Sequence, residues 1–249
     1  MYNPFSLKGK TVLVTGASSG IGRTIAIECS KMGAQLFITG RNIERLTATF
    51  EELEKGANHQ FLPIDITSTE DINKLVNVVG NIDGLVNAAG IMKTLPFKFM
   101  DSQSLDDVMQ ANFVGPALLT KELVSKKKLQ NNGSIVFISS ISGNYVSTFG
   151  NTLYSASKGA LDSFAKNIAL EVASRKIRVN TVNPGMIETN FFSENKITEE
   201  QLKQDINRYP LKRFGKTEEV AYASIYLLSD ASLWVTGASL LIDGGYTLQ

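Results

Sequence analysis

The chain has 249 residues, 43% of them hydrophobic, with 25 basic against 24 acidic side chains and a formal net charge of +1. That length suits a single α/β domain, and the balanced charge argues against a nucleic-acid surface or an attraction to anionic membrane. A lone Cys29 rules out an intramolecular disulfide, Met1 to Lys10 lacks the apolar core of a signal peptide, and no apolar run approaches a membrane span, so a cytoplasmic, reducing setting is expected.

In chain order, short β-branched runs alternate with helical periodicity. Thr11–Thr15 reads as a buried strand, and Gly20–Met32 as a helix with Ile21, Ile25 and Cys29 on one face. Gln35–Thr39 is the second strand; Ile43–Glu54 follows as a helix, with Ile43, Leu46, Phe50 and Leu53 at three- and four-residue steps. Gln60–Ile64 precedes a helix over Ser68–Val79. Gly84–Asn87 is a short strand, and one long helix is expected over Leu105–Lys128, its basic end Lys126, Lys127 and Lys128 suiting the macrodipole. Ser134–Ser139 is a strand of continuous apolar character, and Thr152–Ser174 a helix with Leu161, Phe164, Ile168 and Val172 on one face. Ile177–Val182, Thr217–Leu228 and Leu240–Asp243 complete the series as strand, helix and strand. Strands without polar alternation, separated by helices, imply a parallel sheet covered on both faces. Right-handed crossovers make it doubly wound, a Rossmann-type α/β fold in a single domain over 1–249.

Between the first strand and its helix stands Thr15-Gly16-Ala17-Ser18-Ser19-Gly20-Ile21-Gly22. Glycine lets the backbone turn tightly and approach a pyrophosphate, which the helix N-terminus then attracts. This strand–turn–helix setting marks Gly16, Ser18, Ser19, Gly20, Ile21 and Gly22 as dinucleotide contacts. The second strand ends in Thr39-Gly40-Arg41-Asn42, with an arginine where a ribose-binding carboxylate would favour NAD. Arg41 therefore points to NADP(H) as the preferred cofactor, with NAD(H) as the alternative.

Tyr154 and Lys158 are four residues apart in the first turns of a helix, so phenol and ammonium share a face. An adjacent cation favours the phenolate and lowers the tyrosine pKa. Ser139 and Ser140 follow an apolar strand, where ligands of parallel sheets bind, and a serine hydroxyl there is placed to hydrogen-bond a substrate oxygen.

These elements together resemble the short-chain dehydrogenase/reductase family from about Leu7 to Gly245. The resemblance is carried by the glycine turn, Asn87-Ala88-Ala89-Gly90, Asn112, Ser139-Ser140, Tyr154-x-x-x-Lys158 and Pro184-Gly185. It implies Tyr154 as general acid/base, Lys158 on the nicotinamide ribose, Ser140 orienting the carbonyl and Asn112 supporting a water in the proton relay; no metal is implied. It also implies Asp65 and Ile66 against adenine, Asn87, Ala88 and Gly90 beneath the cofactor, and Ile187 and Thr189 toward its carboxamide and phosphates. Two positions depart from the common pattern. Ala88 stands where a second asparagine is frequent, and the Ser140-to-Tyr154 interval is one residue longer, with Ser-x-x-Gly143 putting the extra residue after Gly143.

The substrate is less legible. Residues 187–210, with Phe191 and Phe192 and a polar helical stretch over Thr198–Asn207, read either as a lid that excludes water or as an insertion with two core-facing phenylalanines. Pro210 to Gly215 and Asp243 to Gly245 resemble the 3-oxoacyl-[acyl-carrier-protein] reductases, and Arg175 matches a basic position those enzymes use to dock the carrier. Against that, Ile91 to Pro96 lacks their Arg-Asp pair, and the loop at Tyr145 is bulky. The expectation is a general ketone/secondary-alcohol oxidoreductase. Its alternatives are the carrier-protein reductase and, in another class, a catalytically silent cofactor-sensing protein. The resemblance also implies a homotetramer.

Overall fold

In a computed structural model, which describes residues 2–189 and 199–248, the uninterrupted apolar runs become strands of one sheet. The strands β1 (Thr11–Thr15), β2 (Gln35–Gly40), β3 (Gln60–Pro63), β4 (Ile82–Asn87), β5 (Leu129–Ile138), β6 (Arg178–Pro184) and β9 (Ser239–Ile242) are all parallel, in the order β3-β2-β1-β4-β5-β6-β9. Val12 pairs with Leu36 on one side and Gly84 on the other, so β1 is central to the register. The order reverses between β1 and β4, and this switch point opens a crevice at the carboxyl ends of the strands.

Alternation along each strand divides the apolar side chains between two layers. Val12, Val14, Leu36, Ile38, Val86, Val136 and Val182 face α1 (Gly20–Lys31), α2 (Ile43–Glu51) and α9 (Thr217–Leu228), packing on Ile25, Cys29, Leu46, Val220 and Ile225. Leu13, Phe37, Leu85, Ile135, Phe137 and Val179 face α3 (Thr69–Val78), α5 (Gly115–Ser125) and α7 (Thr152–Glu171), packing on Ile72, Leu75, Leu119, Leu123, Leu161 and Ala165. Each fully buried side chain of this kind contributes about 1.5–3 kcal/mol of transfer free energy. Strands buried on both sides carry no polar alternation for that reason.

The expected elements are present with shifted ends and one break. The single helix over Leu105–Lys128 is instead α4 (Ser102–Met109), a widened π turn over Gln110–Val114, and α5. Gly115-Pro116 explains the break: the proline has no N–H to continue the ladder and sits where a new helix starts. A Cβ on Gly115 would run into the Ile66 carbonyl. The basic run lies just past the end of α5, where Lys126 pairs with Glu122 at 3.4 Å and Lys128 Nζ donates to the Val79 carbonyl at 2.8 Å. The polar stretch forms α8 (Glu199–Asn207). Several small elements were not expected: 3-10 turns over Phe97–Phe99, Asp230–Ser232 and Tyr246–Leu248, a short α6 (Ile141–Asn144), and a two-residue ladder of β7 (Ile187–Glu188) with β8 (Gly215–Lys216). Among the described residues no helix is long and apolar enough to cross a membrane.

Candidate active site

The crevice is a cavity of about 970 Å3, near the upper end of small-molecule sites and large enough for a dinucleotide with a substrate. Its floor is the glycine turn. Gly16 has φ +68, and a Cβ on it would lie 2.7 Å from the Ala89 nitrogen, so β1 and β4 approach too closely there for any other residue. Thr15 ties the two strand ends, its Oγ1 accepting from the Ala88 and Ala89 N–H groups at 3.1 and 3.2 Å. The N-cap of α1 is Ser19, whose side chain makes no capping bond, so the first-turn N–H groups and the positive helix end face the cavity. At Gly20 (φ +52) a Cβ would meet only Thr189 Cγ2, at 3.7 Å. A cradle of bare backbone over a helix N-terminus fits a pyrophosphate.

Arg41 follows β2 at the cavity edge, and Arg45, one turn into α2, lines the same edge. Both are exposed and, among the described residues, neither is in an ion pair, while no carboxylate ends β2. Arg45 was missed in the sequence, although its four-residue spacing from Arg41 across the Asn42 cap was visible. Asp65 lines the opposite edge, its Oδ1 accepting from Thr67 N–H and Oγ1 at 2.9 and 2.8 Å, and Ile66 lines it as well.

At the other end of the cavity three elements meet. β5 delivers Ser140, which caps α6 and whose Oγ accepts from the Ser142 N–H at 3.1 Å. The first turns of α7 deliver Tyr154 and Lys158. Ser140 acts on the Tyr154 phenol, opposing the rise in its pKa, whereas Ser139 Oγ is spent on the Lys158 carbonyl at 3.2 Å, so Ser140 is the serine beside the phenol. That rise above the ordinary value comes from burial. The expected lowering by Lys158 is not seen: its Nζ donates to the Ile138 carbonyl at 2.8 Å and lies 5.7 Å from the Tyr154 ring centre. Lys158 itself is pushed down to about 8 by burial, with Asp162 opposing.

Of the expected residues, Ala88, Gly90, Pro184, Gly185, Ile187 and Thr189 line the cavity. Asn87 and Asn112 lie behind its wall. Asn87 is buried and donates to Thr120 Oγ1 at 3.2 Å. Asn112, in the π turn, clamps the backbone of Ile91: its Oδ1 accepts from Ile91 N–H at 2.7 Å, and its Nδ2 donates to the Ile91 carbonyl at 2.9 Å and to Ser157 Oγ at 3.0 Å. Both hydrogens of that amide are used, so Asn112 holds a water only through an oxygen, its Oδ1 or its main-chain carbonyl. Widened turns of this type recur at functional sites.

Arg175 does not present a free cation for a carrier. Its guanidinium donates to Asn131 Oδ1 at 3.0 Å, to the Val124 carbonyl at 3.1 Å and to the Leu129 carbonyl, closing the end of α5 against β5. Phe191 and Phe192 of the expected lid lie outside the described residues. Among the described residues, the substrate end of the cavity is lined by Thr94, Asn151, Arg208, Phe149, Tyr209 and Tyr246 together with the apolar Met92, Val146 and Met186. Tyr209 is buried, and its hydroxyl accepts from the Met186 N–H at 3.0 Å.

Known proteins match this chain along nearly its whole length. A family model described as enoyl-(acyl carrier protein) reductase covers residues 16–247. The 3-oxoacyl-[acyl-carrier-protein] reductase FabG of Aquifex aeolicus is 37% identical over 96% of this chain and 98% of its own. The L-xylulose reductase of Caenorhabditis elegans is 36% identical over 98% of each chain. Among solved structures, a dehydrogenase/reductase from Sinorhizobium meliloti 1021 superposes with a TM-score of 0.90 at 32% identity, covering 98% of this chain and 97% of that one.

Proposed function

Since the chain belongs to the short-chain dehydrogenase/reductase family and is an NAD(P)-dependent oxidoreductase, we propose that it reduces ketones with NADP(H) as preferred cofactor and oxidises the matching secondary alcohols in reverse. The observation that carries this reading is the cluster of Tyr154, Ser140 and Lys158 at one end of a cavity whose other end is an uncapped helix N-terminus.

A nicotinamide nucleotide held in the cavity supplies the hydride in reduction and takes it back in oxidation. The chain supplies binding, orientation and proton transfer. The first turn of α1 and Gly16 to Gly22 hold the pyrophosphate, Arg41 and Arg45 the 2′-phosphate, and Asp65 and Ile66 the adenine. Gly90, Pro184, Gly185, Ile187 and Thr189 shape the nicotinamide end, with Asn87 and Ala88 carrying the strand end beneath it. Tyr154 donates its phenolic proton to the carbonyl oxygen as negative charge develops there, and Ser140 hydrogen-bonds the same oxygen. Lys158, as an ammonium, binds the nicotinamide ribose. An oxygen of Asn112 holds the water through which Tyr154 is reprotonated.

A second reading, 3-oxoacyl-[acyl-carrier-protein] reductase, is favoured by curated relatives of that name aligned across nearly the full chain. The hydrogen-bonded state of Arg175 and the hydrogen-bonding groups at the substrate end favour free ketones, hydroxylated ones included. The test is oxidation of NADPH and NADH by the purified protein with a short β-ketoacyl thioester and with free hydroxyketones. Turnover of free ketones with an NADPH preference is expected. Turnover confined to the thioester replaces this reading by the second, and NADPH binding without turnover of any carbonyl replaces both by the cofactor-sensing one. Assembly as a homotetramer, in the cytoplasm, goes with the proposal, and sedimentation of the purified protein tests the assembly.

A further inference from the structure

Asp162 lies one turn beyond Lys158 on α7, is fully buried, and takes part in none of the steps above. A buried carboxylate is costly unless its oxygens are hydrogen-bonded and its charge is matched. The first condition is met by two asparagines from other elements. Asn183, in β6, donates its Nδ2 to the two carboxylate oxygens at 3.1 and 3.0 Å, and Asn144, the last residue of α6, donates at 2.7 Å. The second is met along α7, where Asp162 and Lys158 share a face at four-residue spacing and the carboxylate opposes the lowering that burial imposes on the ammonium.

The same carboxylate reaches toward Ser140. Asn183 Nδ2 also donates to the Ser140 carbonyl, at 3.2 Å, so one amide joins the carboxylate to the residue beside Tyr154. Gly143 permits the convergence, because a Cβ there would lie 3.1 Å from Asp162 Oδ2 and 3.0 Å from the Gly159 nitrogen. The groups that face Lys158 from its surroundings are the Tyr154 ring on α7, the Ile138 carbonyl of β5, and Asn112 and Gly90 near the π turn. Of these and Asp162, only Asp162 carries a formal negative charge.

We propose that Asp162 is a positioning residue for the reaction: its buried carboxylate is the counter-charge that keeps Lys158 an ammonium, and through Asn183 it anchors Ser140 opposite Tyr154. The assignment rests on the roles given above to Tyr154 and Lys158. No motif of the family resemblance contains Asp162, Asn183 or Asn144, and each reads in the sequence as an ordinary polar residue.

Asp162→Asn is isosteric: Asn183 keeps its bond to the remaining carbonyl oxygen, rotation of the Asn144 amide lets its oxygen accept from the new amide, and the substitution removes the charge at the loss of one Asn183 bond. Lys158 then deprotonates at lower pH. A fall in its pKa of about one unit, from about 8, cuts the ammonium fraction at pH 8.5 about eightfold. In NADPH-dependent ketone reduction the expected result is a loss in kcat of about that factor at pH 8.5. Near pH 6 the change stays within about twofold, so the basic limb moves about one unit toward acid. A folded Asp162→Asn protein with the basic limb of the wild type overturns the proposal.

A second measurement needs no substrate and also serves if Asp162→Asn does not fold. Lys158→Met leaves the buried carboxylate without its counter-charge, which is costly wherever that carboxylate is ionised. Stability is then retained below the ordinary carboxylate range and lost as pH rises. The melting temperature of Lys158→Met should fall relative to wild type between pH 4 and pH 8, and the added Asp162→Asn change should restore it. Parallel profiles for wild type and Lys158→Met overturn the proposal. A wild type without carbonyl turnover refutes the reading of the site, and the melting profiles still decide the coupling.

Discussion

Replacing Asn112 by leucine removes three hydrogen bonds at once, two to the backbone of Ile91 and one to Ser157, without much change in volume. Each is worth about 1 kcal/mol net, and the groups left behind differ in what they can recover. Ile91 borders the cavity, so water can reach its backbone, and Ser157 Oγ keeps its bond to the Tyr154 carbonyl at 2.7 Å. The penalty for orphaned groups therefore stays low, and the total is about 3 kcal/mol. For a chain of this size that lowers the melting temperature by about 6–12 °C. Thermal unfolding followed by far-ultraviolet circular dichroism measures it directly. Asn112→Asp sharpens the test, because a carboxylate accepts from Ile91 N–H but faces the Ile91 carbonyl with a second oxygen. Its deficit should be larger than that of leucine at pH 7 and shrink in acid, where a protonated carboxyl donates again. A leucine variant that melts within 2 °C of wild type would refute the clamp between the π turn and the Ile91 backbone.

Two other consequences are accessible to simple assays. Arg41→Ala and Arg45→Ala should each weaken NADPH binding by about 1.5–3 kcal/mol, roughly tenfold to a hundredfold, and leave NADH binding alone; an unchanged ratio of the two affinities in either variant removes that arginine from the phosphate site. The Arg213 guanidinium makes two bonds to Glu219, at 2.8 and 2.6 Å, and holds that carboxyl down at about 2 against an ordinary 4.5. A depressed carboxyl stabilises the fold above its unfolded pKa and loses that contribution as pH falls from about 4.5 toward 2. Because the pair is largely exposed, Arg213→Ala should cost little stability at pH 7 and less still below pH 2; equal losses at both would contradict this linkage.

The parts of the fold that depend on local pattern were readable in advance. Thr11–Thr15 with the glycine turn and α1 could be read because a buried parallel strand, a turn needing bare backbone and an amphipathic helix each constrain residue type at the same positions. Tyr154 and Lys158 were readable because their spacing places both on one helical face. The π turn was missed although Gly115-Pro116 marked it: the apolar face continues across the break, and periodicity weighed that continuity above the missing N–H. Asp162 carried no local signal at all. A carboxylate four residues after a lysine looks like a surface ion pair, and only Asn144 and Asn183, brought from elsewhere by the topology, reveal it as buried. Arg175 carries a structural role that its sequence did not show. Its basic character suited a docking surface, yet the bulged start of β5 turns the Leu129 carbonyl and Asn131 toward it.

The central claim is that Tyr154 moves the proton while the rest of the cavity binds. The most direct measurement is the Tyr154→Phe variant in single-turnover ketone reduction, with NADPH affinity measured on the same preparation. Loss of the missing hydroxyl should cut the rate of the chemical step by at least about a hundredfold and leave the NADPH dissociation constant within about twofold of wild type. A variant that binds NADPH normally and still reduces ketone at the wild-type rate would contradict the account.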